Sequence, residues 1–186
     1  MDALIRPLET ADRPVVARLL DDTVGAGFWS FADDAGALSF VAAAEDGVVG
    51  VVIARLEPAG DADVRTVLGE LAAASLRSGE LILHVHQLAV AAAARRSGLA
   101  LRLMSRAETE ARRRGAGQSF AFGWLPAGRP EPDAVPFYEA AGYAARPDIA
   151  DFYAASSVAS GADCPYCGAP PCRCAARPFV KDLAPA

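Results

Sequence analysis

The stretch from His84 to Ala100, HVHQLAVAAAARRSGLA, constrains the chain more than any other. Leu81 to Val90 is an apolar run broken only by two histidines and a glutamine, and reads as a buried strand. An alanine run and an Arg-Arg-Ser-Gly turn follow, and a helical pattern begins at once, from Leu101 to Arg114. A strand, a glycine-containing loop and a helix N-terminus in that order make an anion site. The first helical N–H groups have no intrahelical acceptors, and the helix dipole adds partial positive charge there. The stretch is therefore expected to hold a phosphorylated ligand, with the histidines beside it handling protons. No lysine follows Gly98, so the loop is not a Walker-type nucleoside triphosphate site.

Charge supports one local anion site on an acidic protein. The net charge is −5, which argues against a general nucleic-acid binder. Yet Arg95 to Arg114 holds seven arginines against two acids, Glu108 and Glu110. The helix arginines read as a solvated face with Glu108–Arg112 and Glu110–Arg114 pairs, while Arg95 and Arg96, beside the glycine, read as anion contacts. At 186 residues, a single domain is expected. With no apolar run of spanning length and no signal peptide, the sequence reads as cytoplasmic, without a membrane partner.

In chain order, Ala3 to Leu8 predicts a short strand, and Thr10 to Asp12 the cap of a helix with Val15, Val16, Leu19 and Leu20 on its apolar side. Ser39 to Ala44 and Val48 to Leu56 read as a hairpin about Asp46-Gly47, followed by a loop from Glu57 to Asp63 and a helix over 64–76. Ser119 to Trp124 predicts a strand, Leu125 to Asp133 a loop, and Val135 to Ala141 a short helix closed by Gly142. An extended segment is expected within Tyr143 to Ala155, and a last strand over Arg177 to Leu183.

Two motifs carry a family resemblance. Arg95-Arg96-Ser97-Gly98-Leu99-Ala100 resembles the Arg/Gln-x-x-Gly-x-Gly/Ala signature of the GNAT superfamily of acyl-CoA N-acyltransferases. Phe137-Tyr138-Glu139-Ala140-Ala141-Gly142-Tyr143 resembles its Phe-Tyr-x-x-x-Gly-Phe/Tyr motif. His84-Val85-His86-Gln87-Leu88-Ala89-Val90 and Val135-Pro136-Phe137-Tyr138 are similar to the arylalkylamine N-acetyltransferases within it. The resemblance implies an α/β fold over residues 1–186, with a mixed, mostly antiparallel sheet flanked by helices and split at a cofactor wedge. It implies acetyl transfer from acetyl-CoA to a primary amine of a small molecule, by direct attack in a ternary complex. A non-catalytic acyl-CoA sensor and a protein-directed enzyme or interaction module remain alternatives, and a homodimer remains open.

The chemistry also follows from the residues. An attacking amine must be neutral, and deprotonating one of pKa ~10.4 at pH 7 costs about 4–5 kcal/mol. Histidine suits that task. His84 and His86 are the chain's only histidines and, two apart on a strand, share a face. The alternative reading is two core histidines or half of an imidazole metal site. By resemblance, the N–H groups of Leu88, Ala89 and Val90 align the pantetheine, those of Arg96 to Ala100 hold the pyrophosphate, and Tyr138 is the acid for the thiolate. Gly98 is expected to permit close approach of the phosphates. Glu131 stands where many relatives carry a CoA-contacting asparagine. Phe28, Trp29 and Phe31 lie where relatives build part of the amine pocket, and Asp33 and Asp34 are placed to attract a cation; three aromatics after a helix also read as a core lid.

All four cysteines fall between Cys164 and Cys174, in Cys164-Pro165-Tyr166-Cys167-Gly168 and Cys172-Arg173-Cys174. In a reducing compartment disulfides are not expected. Four thiolates complete a closed tetrahedral Zn2+ site, and the first half resembles a zinc knuckle; free or redox-active thiols are the alternative. The loop is expected between the last two strands, bordering the acceptor side.

Overall fold

A computed structural model of the chain describes residues 2–26, 28–31, 36–59, 81–130 and 132–183. The expected helix over 64–76 lies outside the described residues, as do Asp33, Asp34 and Glu131. The elements are β1 (Leu4–Pro7), a 3-10 turn (Thr10–Asp12), α1 (Arg13–Thr23), β2 (Phe40–Ala44), β3 (Gly47–Pro58), β4 (Leu81–Val90), a second 3-10 turn (Ala92–Ala94), α2 (Leu99–Arg113), β5 (Ala116–Leu125), α3 (Val135–Ala140), β6 (Ala144–Ala145), α4 (Ala154–Ser160) and β7 (Ala175–Asp182). The strands form one sheet in the order β1-β2-β3-β4-β5-β7-β6. Only β4 and β5 pair in parallel, so the sheet is mixed and mostly antiparallel, as the motifs implied.

Alternation along the strands places a helix on each face. Val51 and Ile53 of β3 pack with Val16 and Leu20 of α1. Val52 and Ala54 turn the other way, onto Leu99, Leu103, Met104, Ala107 and Ala111 of α2. These five recur at helical spacing, which fixes α2 across the sheet centre. Val15, expected on the apolar side of α1, is 41% exposed. Among the described residues, no helix is long and apolar enough to cross a membrane.

Two expectations are corrected. First, β3 runs past Leu56 to Pro58, so Glu57 is a strand residue, opposite Ile82 of β4. Second, Glu108 does not pair with the Arg112 guanidinium. It lies on the buried side of α2 and binds Lys181 Nζ of β7 at 2.6 Å, while Glu110 takes Arg113 and Arg114. A helix-face rule misses this because burial puts Glu108 beside the sheet. The extended segment expected within Tyr143 to Ala155 is β6, and α4, which starts at Ala154, follows where no element was expected. Its AASSVAS sequence offers no apolar stripe. It is anchored by Ser157, fully buried, whose hydroxyl accepts the N–H of Cys172 at 2.8 Å.

Candidate active site

The site begins where the parallel pair separates. β4 and β5 stay paired from Leu81–Ala116 to Val85–Ala121, with one register shift between Leu81 and Ile82. Beyond that, Gln87 to Val90 keep only β3, and Phe122 to Leu125 keep only β7. Pairing of β3 with β4 jumps from Ile53–Gln87 to Ala54–Val85, leaving His86 as the extra residue of a β-bulge. A bulge turns a strand and frees backbone groups from the ladder. The wedge opens into a cleft of ≈ 1150 Å³ lined by His84, His86, Leu88, Ala89, Val90, Arg95, Ala100 and Tyr138.

The helix N-terminus stands beside this wedge. Gly98 precedes α2 at φ 77°, in the left-handed region that favours glycine, and no side chain caps the helix. The first i to i−4 bond is Arg102 N–H to Gly98 C=O, 3.1 Å, which leaves the N–H groups of Leu99 to Leu101 without a helical acceptor. No protein atom stands within 4 Å of a Cβ built on Gly98, so the constraint within the chain is the backbone angle rather than crowding. Ser97 Oγ donates to Ala94 C=O at 2.7 Å and Arg95 Nε to Val90 C=O at 3.0 Å, fixing the loop. Arg96 adopts φ 61°. The Leu99 side chain is buried in the core, so only its backbone is available to a ligand.

The two histidines share a face. Their rings stack at 3.8 Å, and His84 stacks on Phe120 at 4.1 Å. Between them stands a carboxylate that the sequence reading assigned to a loop. Glu57 Oε2 lies 3.2 Å from His84 Nδ1, and its Oε1 lies 3.6 Å from His86 Nε2. A carboxylate only accepts, so Nδ1 of His84 carries the hydrogen and Nε2 keeps its lone pair. Burial, partly offset by Glu57, pushes the His84 pKa down to about 4. Burial works against the Glu57 charge, but the histidine hydrogen bonds outweigh it and hold the carboxyl below its usual range.

These shifts make stability fall in acid. The folded pKa of His84 lies below its unfolded value, so the unfolded chain binds the extra proton between pH 6.5 and 4. The contribution is complete above that window and lost as pH falls through it, by about 3 kcal/mol. Protonation of Glu57 adds to the loss at lower pH. Urea denaturation from pH 7 to 4, without added divalent metal, should show this slope, and His84→Gln should flatten it.

Tyr138 lines the opposite wall. α3 presents it 4.2 Å from Phe179, stacked, and burial pushes its phenol pKa up. Phe28 and Trp29 also line the cleft. Trp29 is held by Asp21, which accepts its Nε1–H at 2.8 Å. Phe31 does not reach the cleft; Arg13 sits 4.9 Å over its ring, behind α1. The rest of this aromatic wall comes from residues that the sequence reading did not select. Trp124 stacks on Tyr153 at 4.9 Å and meets Phe28 at 5.0 Å and Tyr166 at 5.7 Å. A signal was present: Phe120, Phe122 and Trp124 alternate along β5 and therefore share its cleft face.

Tyr166 sits at the tip of the cysteine loop. Cys164 and Gly168 exchange two backbone hydrogen bonds of 2.9 Å, closing a tight turn, with Gly168 at φ 79°. The four Sγ atoms lie within 4.8 Å of one another, with separations of 3.7 Å for Cys164–Cys174, 3.6 Å for Cys167–Cys172 and 3.9 Å for Cys167–Cys174. Four thiolates on one tetrahedral zinc stand about 3.8 Å apart, from Zn–S bonds of about 2.3 Å. Backbone N–H groups of Tyr166, Arg173 and Cys174 point at Sγ of Cys164, Cys167 and Cys172. The donor set fits a closed zinc site.

A parallel pair splayed beside an uncapped helix start thus opens a cleft walled by two imidazoles and a phenol. Comparison makes this specific. Residues 5–143 match the model of the Acetyltransferase (GNAT) family. The chain belongs to that family and is an acyl-CoA N-acyltransferase. No curated protein matches it by sequence. Among solved structures it is similar to Arabidopsis thaliana NAA60 in complex with a bisubstrate analogue, at 12% identity over 100% of both chains, TM-score 0.72. It is also similar to the ribosomal-protein-S18-alanine N-acetyltransferase of Escherichia coli, at 14% identity over 100% of this chain and 96% of that one, TM-score 0.63. An agmatine N-acetyltransferase matches at 18% identity over 98% of this chain and 100% of its own, TM-score 0.63.

Proposed function

We propose that the protein transfers acetyl from acetyl-CoA to the primary amine of a small apolar or aromatic molecule. One observation carries this: His84 and His86, which both contact Glu57, line a single cleft together with the splayed strand edge and Tyr138. The pyrophosphate rests on the N–H groups at the start of α2, with Arg95 and Arg96 alongside, and Leu88 to Val90 align the pantetheine. Neutral His84 and exposed His86 take the amine proton, directly or through water. The amine nitrogen attacks the thioester carbonyl, the C–N bond forms and the C–S bond breaks. The bulged backbone of β4 polarises the carbonyl. Burial keeps Tyr138 protonated, so it meets the departing thiolate as a donor.

The acceptor class follows from the wall of Phe28, Trp124, Tyr153 and Tyr166, which suits an apolar or aryl group better than a highly charged chain. Zn2+ held by Cys164, Cys167, Cys172 and Cys174 supplies only folding energy, fixing the loop that carries Tyr166. Reduced thiols fit a cytoplasmic setting. A protein-directed reaction has one observation in its favour: Tyr166 and Val158 are 54% and 61% exposed on the neighbouring surface.

Calorimetric titration with acetyl-CoA tests the donor, and one saturable site per chain is expected. Absence of binding removes the basis of the reading. Gly98→Ala forces a side chain into the left-handed region, at about 1–2 kcal/mol. It should lower stability by that amount in urea and weaken acetyl-CoA binding in the same titration.

A further inference from the structure

We propose that Glu57, His84 and His86 form a second metal site, for a divalent transition ion of the Zn2+ class, and that the ion competes with the amine proton for the histidines. The site is distinct from the cysteine cluster, and its two histidines line the cleft. Its three donor atoms are Glu57 oxygen, His84 Nδ1 and His86 Nε2, all within 4.8 Å of one another. Donors at about 2.1 Å from one tetrahedral ion stand about 3.4 Å apart. The nitrogen–oxygen separations are close to that value, 3.2 Å from His84 Nδ1 to Oε2 and 3.6 Å from His86 Nε2 to Oε1 of the Glu57 carboxylate.

The chemistry of the donors agrees: an ion would move the His84 hydrogen from Nδ1 to Nε2, freeing Nδ1 as a ligand atom beside the Glu57 carboxylate. Two imidazoles with one carboxylate suit a borderline ion, whereas Ca2+ or Mg2+ would need more oxygens. The bulge at His86 sets its ring beside that of His84 and leaves the side chain 30% exposed, so an ion can arrive from the cleft. Arg55, whose Nε lies 3.9 Å from Glu57 Oε1, opposes the ion. With one formal negative charge against four thiolates in the loop, this site is the weaker of the two and exchanges readily.

Metal binding is independent of acetyl transfer. Its consequence for turnover rests on the histidines serving as the base. With His84 Nδ1 and His86 Nε2 on the ion, Glu57 no longer directs the tautomer and the proton relay is blocked. The ion should therefore inhibit, reversibly and in competition with the amine.

The test uses the full chain, free of any histidine tag, carrying its tightly bound metal, with Co2+ and Zn2+ as probes. Co2+ absorption and Zn2+ calorimetry should report one additional, weaker equivalent. Glu57→Gln and His86→Ala should each abolish it, and Cys174→Ser should not. An added equivalent that survives both cleft substitutions, or no added equivalent, overturns the site. Binding that is lost in the variants but does not slow wild-type acetyl transfer overturns the inhibition and counts against the histidines as base. Circular dichroism of each variant separates a lost ligand from a lost fold.

Discussion

Replacing His84 and His86 together by alanine should lower kcat roughly 10²- to 10⁴-fold, the usual contribution of a positioned general base. Acetyl-CoA affinity should stay unchanged, because the site proposed for the ligand's anionic part is the start of α2, beyond the bulge. The deficit should be largest below pH 8 and shrink towards pH 10, where the amine deprotonates without help. Glu57→Ala should cost less than the double substitution. It leaves both imidazoles in place but frees His84 to take the other tautomer and exposes the ring stack to water. A stopped assay across pH, with calorimetry of acetyl-CoA as the control for folding, separates loss of the base from loss of the cleft. Unchanged turnover in the double variant would exclude these histidines as the base.

Loss of the cysteine cluster should have the second large effect, on the acceptor rather than the donor. Cys174 is fully buried, and Cys174→Ser replaces one thiolate at the centre of the closed site. Protein purified without added zinc should contain about one equivalent by elemental analysis, and the variant little or none. Because Cys172 N–H is held by Ser157, release of the loop should loosen α4 and the Tyr153–Trp124 stack. The amine KM should rise on the order of tenfold, corresponding to about 1.4 kcal/mol, while acetyl-CoA affinity stays as in the wild type. Wild-type protein that carries no metal, or a variant with an unchanged amine KM, contradicts this role.

The strand, turn and uncapped helix start proposed to hold the donor were legible because they are local: all lie within one short run, Leu81 to Leu101, and the free groups there are backbone N–H groups rather than distant side chains. The histidine pair was legible for the same reason: period two places both on one face. Glu57 was not legible. It comes to His84 through the β3–β4 register, and the adjoining proline and glycine made it read as loop. The acceptor wall was equally hidden, since Trp124, Tyr153 and Tyr166 meet only after β5, α4 and the cysteine loop converge. Phe31 read as part of the pocket by nearness in sequence to Phe28, yet the chain turns it onto Arg13. The Glu108–Lys181 pair shows the same limit, for a helix wheel holds no information about which strand it will face.

The most direct measurement is release of free CoA from acetyl-CoA by the wild-type protein against a panel of arylalkylamines, polyamines, aminoglycosides and peptides, with mass analysis of the products. The expected result is amine-dependent release with one acetylated amine per CoA, fastest with an arylalkylamine. Saturable acetyl-CoA binding with no release above hydrolysis for any amine or peptide would contradict acetyl transfer and leave an acyl-CoA sensor.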